Sequence, residues 1–329
     1  MRFFTLFFIF ILMITPANAD ENKPVEIKEW IVPWEDSRPR DPYVAPDGKV
    51  WFVGQKDAYF ASFDPVTEEF NRIELGQEAA PHNLIVGEDG LIWIAGNRSA
   101  YIGKYDSISK KLHKIPMPDK DAYDPHTLVF NQDQSKIFFT LQGSNKAGIL
   151  DIATEKVTLI KMRTDDARPY GIVMAPDGKA WIALFGTNRL GRIDLKKRQF
   201  TEFVIPRKEA RPRRLIVTSN GLVSYVDYRG GFLGSFDPDA NKFEEWPLPS
   251  GVKSGPYAMA KDSKDRIWLV ETGPDINNFV GFSHKTKEFF STTPIPSGAG
   301  AVRHMMYHKP SGSIWFGTDA NTIGRAQVE

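Results

Sequence analysis

Half of the six histidines in this chain fall at one recurring position. His82, His126 and His304, with Tyr43, Tyr170, Arg213 and Tyr257, each follow a proline, or for His304 an arginine, at the head of similar segments. Histidine and tyrosine side chains gathered together can move protons or orient a polar ligand. A second recurring position, after an apolar stretch that usually holds tryptophan, carries Val53, Gly96, Leu141, Leu184, Asp227, Glu271 and Asp319. Its acids cluster late in the chain, so histidines, tyrosines and carboxylates converging on one place would make an acid–base or metal site. The segment 207–214 adds five basic residues, Arg207, Lys208, Arg211, Arg213 and Arg214, which with Arg168 could attract an anionic group. The plainer reading is that such a ring fills a channel and caps backbone groups, and that the basic run is a solvated loop.

Convergence requires a repeat. Segment 168–183 (RPYGIVMAPDGKAWIA) has a near copy at 38–53, and the leading residues of all copies fall at 42, 81, 125, 169, 212, 256 and 303. Each unit holds an apolar strand, a turn such as Asp47-Gly48, and a second strand with Trp51, Trp93, Phe138, Trp181, Trp268 or Trp315 in six of the seven units. A glycine-containing strand and an alternating strand complete it. Asp-Gly supplies the positive φ of a tight hairpin. Four short strands in about 44 residues describe a blade of a β-propeller. The expectation is an all-β, seven-bladed β-propeller over residues 20–329. The seventh unit stops after its third strand, and Val25–Pro33 resembles the missing fourth, so the N-terminal strand is expected to close the ring.

The first strand of a blade starts on the same face as the second strand ends, which is where both recurring positions would meet. Upstream, residues 3–14 are an apolar run behind Arg2, ending at Ala17-Asn18-Ala19. Such a run reads as a signal peptide over residues 1–19, cleaved on export to the periplasm or medium, and is too short to span a bilayer comfortably. The chain has 42 basic and 41 acidic residues, and removal of Arg2 balances them, which argues against a nucleic-acid partner. It has no cysteine, which excludes thiol chemistry and disulfides. A monomer binding a small molecule or peptide at the channel face is expected.

Residues 168–183 and 188–194 (NRLGRID) resemble the repeat of the streptogramin (virginiamycin B) lyase family, and the resemblance extends over the mature chain. It implies a carbon–oxygen lyase that opens a cyclic ester by elimination with the help of Mg2+. The family uses two histidines and two glutamates on its last two blades. The resemblance matches one histidine with His304 and one glutamate with Asp319, while Tyr257 and Val302 stand where the others would be. It therefore implies His304 as general base, Asp319 and Tyr257 as catalytic partners, Glu271 and Asp319 as metal ligands, and Tyr43, His82, His126, Tyr170 and Arg213 as the pocket lining. Two other readings are a non-catalytic binding propeller and a lactonase-like hydrolase, whose cation would need Asp227, Glu271 and Asp319.

Overall fold

Apolar alternation over five to seven residues, broken by turns, produces strands throughout. The computed structural model describes residues 23–76 and 79–329, and the signal-peptide reading lies outside them. Among the described residues there are seven four-stranded antiparallel sheets. Six are built from consecutive strands, beginning with Pro39–Val44, Val50–Gly54, Tyr59–Phe63 and Phe70–Glu74 in blade one. The innermost strands of blades two to seven are Pro81–Val86, Pro125–Phe130, Pro169–Met174, Pro212–Val217, Pro256–Lys261 and Val302–His308. Each innermost strand touches the next, and that of blade seven touches that of blade one, so the ring is closed.

The hairpin turns follow their chemistry. Gly48 and Gly178, after Asp47 and Asp177, have φ of +86° and +80°, which a side chain would disfavour. The buried apolar side chains form seven clusters, each between two adjacent blades. A single blade therefore has no core of its own, and its two faces are covered only by its neighbours. Blade five carries Ser224 where six other blades carry an aromatic, and His284 of blade six reaches across to it at 2.8 Å.

Closure is as expected. Glu26–Ile31 pairs antiparallel with Thr322–Gln327, Trp30 lying opposite Ile323, to complete blade seven. Trp30 is buried, stacks on Trp315 at 5.6 Å and meets Phe63 of blade one at 5.0 Å. It thus joins the two ends of the chain to the first blade. Truncating a buried tryptophan typically costs about 3–5 kcal/mol. Trp30→Ala should lower the unfolding free energy measured in urea by an amount in that range, whereas an unchanged free energy would show that closure does not depend on this clasp.

Candidate functional site

In all seven blades the pairing of the innermost strand with its neighbour slips just after its first residues. Such a β-bulge re-aims side chains. Here the register slips within the few residues after the leading position, which is proline in six blades and Val302 in the seventh, and the two residues that follow it crowd the channel mouth. The first position holds Arg40, His82, His126, Tyr170, Arg213, Tyr257 and Arg303. The second holds Asp41, Asn83, Thr127, Gly171, Arg214, Ala258 and His304.

This register corrects four sequence assignments. In blade one Pro39, not Pro42, opposes the strand end at Gly54, and Tyr43 pairs with Trp51 as Ile85 pairs with Trp93. Arg40 therefore takes the ring position, and Tyr43 lies three residues away, roughly 10 Å along the strand. In blade seven Val302 opposes Thr318, as Pro256 opposes Glu271. Arg303 is then the counterpart of Tyr257, and His304 sits one place deeper. The strand end matching Glu271 is Thr318, so Asp319 is the first loop residue, equivalent to Gln55 and Tyr228. In blade one the strand end is likewise Gly54 rather than Val53. His82, His126, Tyr170, Arg213 and Tyr257 lie in the ring position where the repeat places them.

These side chains form a continuous buried cluster. Arg40 Nε donates to Asp41 Oδ1 at 3.0 Å, and Arg40 Nη1 reaches Gln55 Oε1 and His82 Nε2, each at 3.1 Å. Because guanidinium only donates, His82 accepts on Nε2 and keeps its proton on Nδ1. Asn83 donates to Asp41 Oδ2 at 2.9 Å and accepts from the Leu128 amide at 2.8 Å. The His82 and His126 rings lie 3.6 Å apart, and His126 and Tyr170 4.1 Å apart. The Tyr170 and Tyr257 hydroxyls share a hydrogen bond. Arg214 crosses the axis, donating from Nε to the Arg303 carbonyl at 3.1 Å and from Nη1 to Thr127 Oγ1 at 3.0 Å.

Above this layer Arg213 lies over four aromatic rings: Tyr257 at 3.6 Å, Tyr228 at 4.2 Å, Phe185 at 4.8 Å and Tyr170 at 5.1 Å. Its buried Nε has no hydrogen-bond partner. Arg303 pairs with Asp319, which also lies 3.7 Å from Arg38. Beside Arg213, Phe185 and Tyr228 open into a rim cleft of about 410 Å³ that also carries Arg168, Arg211 and Arg229.

Four central arginines, 40, 213, 214 and 303, face two carboxylates, Asp41 and Asp319, which leaves an excess of two positive charges. The titratable groups respond accordingly. Burial, reinforced by Arg40, pushes His82 well below the usual histidine range, and burial with Arg214 does the same to His126. His304 is pulled down to about 4 by burial and then by Arg214. For Asp41 burial works upward, but Arg40, His304 and Arg214 prevail and hold it well below the carboxylate range. Burial would raise both phenols. Tyr170 stays above the ordinary range, while Arg40, Arg213 and Arg214 together outweigh burial at Tyr257 and bring it below.

The acids expected to hold a metal are engaged elsewhere. Glu271 is fully buried and accepts from Ser250 N at 2.9 Å, Ser250 Oγ at 2.5 Å and Asn278 Nδ2 at 3.2 Å. Asp227 accepts from the Arg211 amide at 2.7 Å and pairs with Arg207 at 2.5 Å. Asp319 is bound by arginine. Among the described residues no group of three or more histidine or acidic side chains is arranged to hold a metal ion. The donor set does not fit Mg2+, nor the central cation of a lactonase, because Glu271 is taken up by Ser250 and Asn278, and Asp227 and Asp319 are each paired with an arginine.

A closed seven-bladed propeller with an arginine- and tyrosine-filled channel mouth is the class defined by this architecture. The chain belongs to the virginiamycin B lyase family, whose model matches residues 19–279. Among solved structures it is similar to virginiamycin B lyase from Staphylococcus aureus, with 19% identity, a TM-score of 0.83, and coverage of 92% of this chain and 99% of that one. A streptogramin B lyase structure gives 22% identity, a TM-score of 0.83 and coverage of 95% and 100%. Hydrazine synthase of Kuenenia stuttgartiensis shares the fold at 15% identity and a TM-score of 0.73, covering 91% and 98%. Comparison with curated protein sequences finds no match.

Arg40 and Arg303 were missed because Arg40 hides beside a second proline, and Arg303 stands next to a histidine that matches the repeat better.

The buried neutral histidines set a sign for stability against pH. In the unfolded chain each titrates near 6.5, so below that pH the unfolded state binds more protons and stability falls by about 1.4 kcal/mol per unit per histidine. For His304 the loss continues down to about 4, and Asp41 adds to it below its unfolded value of about 3.9. The urea midpoint should be nearly flat above about pH 7, drop steeply from 6 to 4.5, and drop less steeply in His304→Gln. A midpoint that does not change over that range would refute the neutral assignment.

Proposed function

We propose that the protein receives a small anionic ligand, a carboxylate in the first instance, at the arginine-lined channel mouth. The observation that carries this reading is Arg213. It is a largely buried cation that lies over aromatic rings without a carboxylate partner and with Nε unpaired. Cation–π contacts stabilise such a group by about 0.5–2 kcal/mol, but they do not neutralise its charge, which stays open to an anion. Phe185 and Tyr228 would flank the organic part of the ligand in the rim cleft. We place the protein outside the cytoplasm as a monomer, on the strength of its N-terminal sequence and closed ring. No helix among the described residues is long and apolar enough to cross a membrane.

Calorimetric titration with a panel of carboxylates and cyclic esters tests the binding reading. Arg213→Gln should weaken the best ligand at least tenfold, since a charge-assisted hydrogen bond is worth roughly 1.5–3 kcal/mol. Equal affinity in the variant would overturn it.

A second reading, elimination at a carbon–oxygen bond, is favoured by the acidified Tyr257. A Tyr257 phenolate would take a proton from the carbon β to the ester oxygen. The C–H electron pair would become the new C=C bond, the C–O bond would break, and the departing carboxylate would meet Arg213 and Arg303. Arginine would then carry the electrostatic work, with no step through Mg2+. Tyr257 suits the base better than His304, which lies one place deeper, and Asp319 already pairs with Arg303. On whichever cyclic ester is turned over, Tyr257→Phe should lower kcat by about 10² or more while leaving ligand affinity within about threefold. Full turnover in that variant would eliminate Tyr257 as base.

A further inference from the structure

The ring of stacked side chains divides the axial channel, and the space beneath it has its own chemistry. A cavity of about 200 Å³ lies between the innermost strands of blades four to seven. Its walls are apolar, with Ile172, Ile216, Met259 and Met305 among them. Its volume equals roughly seven water molecules at about 30 Å³ each. Two polar groups, Arg214 and His304, line it from the side of the ring.

Both have unused capacity. Arg214 is 4% exposed, and its Nη2 has no hydrogen-bond partner. The nearest carboxylate oxygen, Asp41 Oδ2, is 3.9 Å away and already accepts from Asn83. His304 Nδ1 is also buried and unpartnered. After burial, Arg214 is the leading influence on His304, so the two groups act on one space. The polar groups at the other end are occupied: Lys261 Nζ pairs with Asp265 at 2.6 Å, and the Tyr307 hydroxyl donates to Glu329 at 2.9 Å. The unmatched charge is therefore at the ring and the apolar surface below it.

We propose that this lower compartment is a second binding site, for a short aliphatic carboxylate whose oxygens accept from Arg214 and His304 and whose chain packs between blades four and seven. Arg213 has no part in it, so it is separable from the mouth. Pentanoate titrated calorimetrically into Arg213→Gln should bind once per chain, at least tenfold tighter than pentanamide, which lacks the charge, or acetate, which lacks the tail. Adding His304→Gln to that variant should weaken pentanoate about tenfold. In the unmodified protein, whatever the variants do, the His304 imidazole resonances should shift on adding pentanoate and not on adding pentanamide. The proposal is overturned if Arg213→Gln removes all pentanoate binding, if acetate or chloride binds as tightly as pentanoate, or if the His304 resonances stay in place.

Discussion

Seven strands that start around one axis leave little room at their origins, and the bulge after each first residue aims two side chains into that room. Crowding of this kind is the constraint on which the rest of the molecule depends. It is enforced by closure, because no blade has a core of its own and every interface is shared. The clasp between Glu26–Ile31 and Thr322–Gln327 does in strands what a disulfide would do in a chain that has no cysteine. With the ring shut, the axial residues cannot retreat to water, and they must satisfy one another.

They do so incompletely. Arg40, Asp41 and Asn83 form a hydrogen-bonded unit that leaves only Arg40 Nη2 unpartnered, and His82 fits it only as a neutral acceptor. Arg213 and Arg214 do not find equivalent partners. Aromatic faces offset part of the cost for Arg213, while Arg214 uses a carbonyl and a hydroxyl. The outcome is a pre-organised positive potential inside a low-dielectric wall, which is worth more to an anion than the same charges in water. This potential keeps the histidines neutral and makes Tyr257 more acidic than Tyr170.

The fold was legible in the sequence because its signals are periodic. Asp-Gly turns, tryptophans and glycine strands recur at nearly constant spacing, and Val25–Pro33 matches the strand absent from the last unit. The site was legible only where proline marks the position without ambiguity, as at His82, His126, Tyr170, Arg213 and Tyr257. It was misread at both ends of the ring. Pro39 and Pro42 both precede polar residues, and only cross-strand pairing with Gly54 chooses between them. In blade seven no proline marks the strand, so His304 draws attention from Arg303 until Val302 is seen opposite Thr318. A bulge adds one residue without changing composition or period, so it leaves no trace in the pattern. Glu271 was misjudged for another reason: a carboxylate's hydrogen bonds to Ser250 and Asn278 come from loops that the repeat does not describe.

The central claim is that the channel mouth holds a permanent, unpaired positive charge directed at an anion. Crystals soaked in bromide and measured at the bromine absorption edge test it most directly. The account predicts the strongest anomalous peak against the Arg213 guanidinium, between Phe185 and Tyr228. Peaks confined to lysines on the outer strands, with none at the mouth, would contradict it.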